Sequence, residues 1–332
     1  MKKIAILVFF TVGFFVHVWA CTGLIAGKQA TVDGSVLVTY SADSHTLYGA
    51  LTSSPAADWP KGSMRSIVEW DTNKPLGEIE QVEHTYAVMG NMNEHQLTVV
   101  ESTWGGRPEL VDTTGIIDYG SLMQLALERA KTAREAIKVM TGLVKKYGYY
   151  SSGESFTIAD PNEAWILDLI GKGPGRRGAV WVAVRIPDDC IAGHANYPRI
   201  HKIPMDDKEN CLYSPDVISF AREMGYFDGL NKDFSFARAY SPADFGALRA
   251  CDARVWSFFR KYDSTMDNYL PYVNGESAEP FPLYVKPSRK LSVQDMKEAM
   301  RDHFEDTPFD MTQDVGAVSY THLRAHETPE HL

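Results

Sequence analysis

Lys2 and Lys3 open the chain, and residues 4–20 behind them are apolar apart from Thr11, Gly13 and His17. That run of 17 residues falls short of the roughly 20 needed to cross a bilayer. A basic start, an apolar middle and a small residue at the end form the pattern of a cleavable export signal. Val18 and Ala20 suit the −3 and −1 positions of a cut before Cys21. The working chain is therefore expected to begin at Cys21 and to be exported, as a periplasmic or secreted protein. A membrane anchor is the competing use of residues 1–20. No second apolar run of that length follows, so no stable membrane span is expected once the segment is removed.

Removing residues 1–20 takes away two Lys and no acid, leaving 31 basic against 43 acidic side chains, a net charge of −12. Such an acidic balance argues against nucleic acid as a partner. With 44% hydrophobic and 23% charged residues, a disordered or collagen-like chain is excluded. The length suits one large domain or two average ones. Four Cys, at 21, 190, 211 and 251, are too few for a small disulfide scaffold. Cys190, Cys211 and Cys251 can form one disulfide at most, and buried thiols are the plainer alternative.

Two maturations compete at Cys21. Val18-Trp19-Ala20-Cys21 is similar to a lipobox, although a bulky Trp at −2 fits it poorly. Lipoprotein processing would acylate the α-amine and leave a lipid-anchored, non-catalytic binding protein at the membrane surface. Ordinary cleavage would instead expose an N-terminal Cys, which holds nucleophile and base in one residue. The thiol has an ordinary pKa of about 8.5. The α-amine, at about 7.7–8.0, can take the thiol proton and return it to a leaving amine.

Residues 21–28 read as a first strand, Thr31-Val32-Asp33-Gly34 as a hairpin turn with positive φ at Asp-Gly, and residues 35–41 as the return strand. Ala42-Asp43-Ser44 then ends beside the place where the chain began. An ordinary surface hairpin would carry the same pattern. The Cys21-Thr22 start, the Asp-Gly-Ser turn and Ala42-Asp43-Ser44 resemble the beginning of C69 dipeptidases. These are N-terminal-nucleophile hydrolases related to choloylglycine hydrolases and penicillin V acylases. Gly90-Asn91-Met92-Asn93-Glu94-His95, Glu101-Ser102-Thr103-Trp104, residues 155–163 and Ala192-Gly193-His194-Ala195-Asn196-Tyr197-Pro198-Arg199-Ile200 fit the same family. The resemblance spans about residues 21–316.

The resemblance implies a fold, α+β in class, that is a four-layer αββα sandwich with the nucleophile opening a central strand. It implies hydrolysis of dipeptides through a thioester on Cys21, with no metal and no organic cofactor. Asp43 aligns with the acid that holds the amine of Cys21 or of the substrate. Asn196 matches the asparagine that shapes the oxyanion pocket, where an amide donates without titrating. Thr103 falls where the acylases carry a second oxyanion asparagine. Glu101 is a candidate for a substrate ammonium, with a hairpin or capping role as its alternative. Arg199 is a candidate for a dipeptide carboxylate, with a surface ion pair as its alternative. The acylases have an Arg three residues before the acid, and Tyr40 stands there instead. That departure favours a substrate class other than bile salts and penicillins, and makes an acyl-amide hydrolase the second reading.

Helices are expected over 118–131 and 132–147, the second opened by a capping box at Thr132 and Glu135. Residues 155–200 alternate as paired strands, and 171–178 read as a hairpin loop. Further helices are expected over 214–224 and 243–262. Gly23 to Lys28 only superficially suggests a phosphate loop, being one residue short, with Gln29 in place of Ser/Thr. No His/Cys/Glu spacing suggests zinc in residues 21–316. Residues 318–332 carry His322 and His326 at helical spacing, but they read as an atypical, extraneous or disordered tail. Residues 21–317 would form the hydrolase domain, incomplete at its C-terminal end.

Overall fold

The computed structural model describes residues 21–42 and 49–311. The expected export signal, Asp43 and the 318–332 tail lie outside the described residues. The fold is α+β. Its main strands are β1 (Thr22–Ala26), β2 (Leu37–Ser41), β3 (Thr98–Gly105), β4 (Gly153–Ala159), β5 (Ala164–Gly171), β6 (Ala179–Ile186), β7 (Ile191–His194), β8 (Cys211–Tyr213) and β9 (Tyr284–Val285). Its helices are α1 (Tyr119–Arg129), α2 (Ala133–Tyr147), α3 (Val217–Glu223), α4 (Phe236–Tyr240), α5 (Ala253–Arg260), α6 (Leu270–Val273) and α7 (Val293–Ala299). Among the described residues no helix is long and apolar enough to cross a membrane.

Two antiparallel sheets organise the chain. The smaller runs β9-β7-β1-β2. The larger runs β8-β6-β5-β4-β3 and continues through the short strands Met92–Asn93, Val88–Met89 and Ser53–Ser54. Every residue of β4 and β5 is buried, which requires cover on both faces of the sheet. Successive side chains of a strand point to opposite faces, so each strand feeds two cores. Val99, Phe156, Ile158, Trp165 and Leu167 pack with Leu122, Ala126, Ile137 and Met140 of α1 and α2. Ile166, Ile170, Val180 and Val182 pack with Ile25 and Ala192 of the smaller sheet. Leu24, Ala26 and Ile191 point the other way, onto Val255, Trp256, Phe259 and Met296 of α5 and α7.

Local chemistry explains the boundaries. Asp118 caps α1 by accepting from Ser121 N at 3.1 Å. Thr132 caps α2 by accepting from Glu135 N at 3.3 Å. The expected capping box is only half formed, because the Glu135 carboxylate accepts from Lys131 N rather than from Thr132 N. The β1–β2 hairpin forms, but it is shorter than expected at both ends of its turn. Gly27 leaves the strand against the loop between β6 and β7, where an added Cβ would lie 2.4 Å from Asp188 O. Of the Asp33-Gly34 pair only Gly34 has positive φ, at 80°. Asp33 instead turns the chain with its side chain, accepting from Ser35 N and Oγ at 3.0 and 2.7 Å.

Candidate active site

Cys21 precedes β1 at the centre of the smaller sheet, with β2 on one side and β7 on the other. It is 2% exposed. Its backbone N donates to Asn196 Oδ1 at 2.7 Å. Asn196 lies two residues past β7 with φ of 55°, a left-handed conformation that asparagine adopts more readily than most residues. Its Nδ2 donates in turn to the Thr103 carbonyl at 2.5 Å. The amide thus bridges the start of β1 to β3 of the other sheet.

Arg254, in α5, completes this junction. Its Nη1 donates to the Cys21 carbonyl at 2.7 Å and to Thr22 Oγ1 at 2.8 Å. Its Nη2 donates to the Ala195 carbonyl at 3.1 Å and to Asn196 Oδ1 at 2.8 Å. Asn196 Oδ1 therefore accepts from two donors, which fixes which side of the amide faces Cys21. Before α5 the chain makes one wide π turn over Ala247–Asp252. Such turns recur at functional sites.

A second group of side chains lies next to this junction. Tyr40, opposite Gly23 across the hairpin, donates its hydroxyl to Glu101 Oε1 at 2.5 Å. Thr103 Oγ1 donates to Glu154 Oε1 at 2.6 Å. The β3–β4 register pairs Thr103 with Glu154 and Glu101 with Phe156, so both carboxylates belong to one face. Glu101 is 3% exposed and Glu154 is fully buried. Burial holds the Glu101 carboxyl above its usual range. Glu154 is pushed well up, first by burial and then by Glu101 beside it. Burial, followed by the Glu101 charge, likewise holds the Tyr40 phenol in its neutral form.

On the opposite face, His194 sits under Gly23. Its Nδ1 is 2.6 Å from Ser102 Oγ and its Nε2 is 2.8 Å from Thr157 Oγ1. Desolvation pushes its pKa down to about 3 and keeps the ring neutral. Asp168 accepts from Ser155 Oγ at 2.6 Å and from Ile200 N at 2.9 Å, which pins the segment carrying Asn196. Burial raises Asp168 to about 6.

Arg199 is not at this junction. Only 1% exposed, it meets Asp252 with Nη1 at 3.0 and 3.1 Å from the two carboxylate oxygens. Its guanidinium also lies 3.9 Å over the Phe281 ring, and Nη2 donates to the Pro282 carbonyl at 2.9 Å. Tyr272 OH donates to Asp252 from the other side at 2.9 Å. Neither the surface ion pair nor the substrate contact expected of Arg199 describes this geometry. The pair braces the Asn196 segment against the turn that leads to Arg254.

A cleft of about 700 Å³ opens beside the junction. Asn196 and Thr103 line it, together with Glu69, Asp71, Glu154 and Asp244, and Cys251 reaches its wall. No Lys, Arg or His is among its described lining residues. Cys190, Cys211 and Cys251 carry no disulfide. Burial raises Cys190 to about 12 and Cys211 to about 11, so both are inert thiols at neutral pH.

The sequence-predicted residues Cys21, Asn196, Thr103 and Glu101 are thus brought together, Arg199 is set apart, and Asp43 lies outside the described residues. Arg254, Glu154 and His194 were not singled out in the sequence. His194 and Glu154 stand inside or beside quoted motifs, whereas Arg254 lies in an unremarkable helix and carries no signal.

The family model of peptidase family C69 matches residues 20–326. A probable dipeptidase of Salmonella dublin is 28% identical over 318 residues, covering 88% of this chain and 68% of its own length. A probable dipeptidase of Latilactobacillus sakei is 25% identical over 314 residues, covering 88% of this chain and 62% of its own. The dipeptidase of Bifidobacterium longum is 24% identical over 352 residues, covering 92% and 62%. The chain therefore spans roughly two thirds of the length of these relatives. With a match along nearly all of its described residues, the chain belongs to peptidase family C69, a family of hydrolases acting on peptide bonds.

Proposed function

We propose that this chain is an exported cysteine dipeptidase in which the cut before Cys21 creates the nucleophile and its base together. The observation that carries the reading is the 2.7 Å bond from Cys21 N to Asn196 Oδ1. It fixes the main-chain nitrogen of Cys21, which becomes the α-amine after processing, beside an amide that donates on its other side. The layers fit the four-layer αββα sandwich, with α1 and α2 outside the larger sheet and α5–α7 outside the smaller one.

In this mechanism the α-amine takes the thiol proton, and the thiolate sulfur attacks the peptide carbonyl carbon. A C–S bond forms and the carbonyl π pair moves to oxygen. Asn196 Nδ2 has a second N–H beyond the one bound to Thr103, and it donates to that oxyanion. The Thr103 hydroxyl and main chain border the same pocket. Collapse breaks the C–N bond, and the ammonium passes its proton to the leaving amine. Water then gives a proton to the amine, attacks the thioester, and releases the second amino acid with the thiol restored.

Mass spectrometry of the mature N-terminus tests the first step. The expected species begins at Cys21 with an unmodified amine, and an acylated amine would establish the lipid-anchored alternative. A panel of dipeptides and acyl-amides tests the second. Dipeptides should be cleaved and Cys21→Ala should cleave none, whereas turnover confined to acyl-amides would move the chain to the acylase reading.

A further inference from the structure

Among the described residues, other buried carboxylates meet a cation or main-chain donors, and Glu128, whose Oε2 has no hydrogen-bond partner, still has a guanidinium on its Oε1. Asp252 meets Arg199, Glu128 meets Arg65 at 3.2 Å, and Asp168 accepts from Ser155 and the Ile200 N–H. The pair formed by Glu101 and Glu154 breaks this pattern. One oxygen of each is satisfied, by Tyr40 OH and by Thr103 Oγ1. The other two, Glu101 Oε2 and Glu154 Oε2, are buried and meet no side-chain donor outside the pair; the two carboxyls lie within hydrogen-bond reach of each other, a contact that needs a shared proton.

Among the described side chains, no Lys, Arg or His is recorded against the pair. The titratable groups that face the pair are Tyr40 from β2, Asp71 from the turn between strands Met64–Val68 and Pro75–Glu80, Tyr119 at the start of α1 and Tyr149 after α2, with Cys21 beyond Tyr40 and Asp118 beyond Tyr149. All are carboxyls, phenols or a thiol. Tyr119 is itself turned to Asp71, donating at 2.8 Å. Glu154 lines the cleft, whose other carboxylates are Glu69, Asp71 and Asp244.

We propose that Glu154 and Glu101 together form a receptor for a primary ammonium group of the bound peptide. Two buried carboxylates without a cation are costly when both are ionised, so in the empty cleft the pair retains a proton. An ammonium brings three N–H donors and one positive charge. Two of those donors meet the two orphaned oxygens, and the charge replaces the retained proton, which leaves to solvent. The group has two sources, the α-ammonium of the substrate or the side chain of a lysine residue. The inference deepens the peptidase reading and rests on it for the ligand being a peptide.

Calorimetric titration of the chain carrying Cys21→Ala tests this without turnover, so the receptor and the peptidase mechanism fail separately. Ala-Ala should bind at least tenfold more tightly than N-acetyl-Ala-Ala, and Glu154→Gln should reduce that preference below threefold. Binding of Ala-Ala should release a proton, read from heats in buffers of different ionisation enthalpy. If N-acetyl-Lys-Ala binds as well as Ala-Ala, the receptor takes the side-chain ammonium; if it binds as weakly as N-acetyl-Ala-Ala, the receptor takes the α-ammonium. Equal binding of Ala-Ala and N-acetyl-Ala-Ala overturns the proposal, and so does binding without proton release. Both comparisons can be made without substituting Glu154, so they hold even where Glu154→Gln does not fold.

Discussion

Arg254 Nη2 donates to Asn196 Oδ1 at 2.8 Å while Nη1 of the same guanidinium holds the Cys21 carbonyl at 2.7 Å. One planar fork therefore sets the distance between the proposed nucleophile and the proposed oxyanion donor. Lysine keeps the charge but presents no fork, so it cannot hold four acceptors in this geometry. Arg254→Lys should lower dipeptide kcat by about 10- to 100-fold, the scale of a misplacement near 1 Å. KM should change little, because Arg254 does not line the cleft. Steady-state kinetics on the variant read this split, and an unchanged kcat would remove Arg254 from the positioning of the site.

The buried pair of Arg199 and Asp252 makes an opposite prediction, about stability. Removing the cation alone leaves Asp252 buried against Tyr272 with no hydrogen-bonded countercharge. Arg199→Met should therefore destabilise the fold by about 3–5 kcal/mol. Removing both charges, in Arg199→Met with Asp252→Leu, should recover most of that loss. Urea denaturation of the single and double variants measures the difference. A carboxylate-binding Arg would instead raise KM and leave the unfolding midpoint alone.

What was legible in the sequence divides along physical lines. Period-two runs such as Trp165, Leu167 and Leu169 mark β5, because side-chain alternation is local. Asp118 and Thr132 mark the starts of α1 and α2 for the same reason. Motif segments were legible as a group but not by role. Asn93, in the segment quoted with Glu94, does not reach the site. Its Nδ2 donates to the Leu127 and Ala130 carbonyls at 2.8 and 2.7 Å and closes the end of α1. Asp160, in another such segment, accepts from Ala133 N at 2.9 Å at the start of α2. Arg254 was invisible because the four acceptors of its two Nη atoms, the Cys21 and Ala195 carbonyls, Thr22 Oγ1 and Asn196 Oδ1, all lie more than 50 residues away in the chain. Arg199 was misread because its residue type suits a ligand carboxylate as well as a buried one, and only the fold brings Asp252 to it.

His194 links acidity to stability with a definite sign. Its folded pKa of about 3 lies below the ordinary 6.5. Below pH 6.5 the unfolded chain takes up a proton that the folded chain refuses, so folding loses free energy as pH falls toward 3. Above 6.5 the residue contributes no slope. At pH 5 the loss amounts to about 2 kcal/mol. Glutamine can still bond to Ser102 and Thr157 but does not titrate. The stability difference between the native chain and His194→Gln, from urea denaturation, should therefore shift by about that amount between pH 7 and pH 5. A difference independent of pH would mean that the ring titrates in the fold as it does in the unfolded chain.

Two glycines separate a steric requirement from a mere absence of side chain. At Gly23 a Cβ would stand 2.8 Å from His194 Nε2 and 2.9 Å from Cε1. That ring cannot yield easily, since Ser102 and Thr157 hold both of its nitrogens. Gly23→Ala must therefore move β1 away from the ring, at about 1–3 kcal/mol, the usual range for overpacking. Cys21 begins this strand, so turnover should fall together with stability. Gly142, exposed within α2, has nothing within 4 Å of an added Cβ. There alanine only restores helix propensity, and Gly142→Ala should stabilise by up to about 1 kcal/mol with turnover unchanged. Melting curves and dipeptide assays on the two variants should move in opposite directions. If Gly23→Ala behaved like Gly142→Ala, His194 would not be the residue that sets the position of the nucleophile strand.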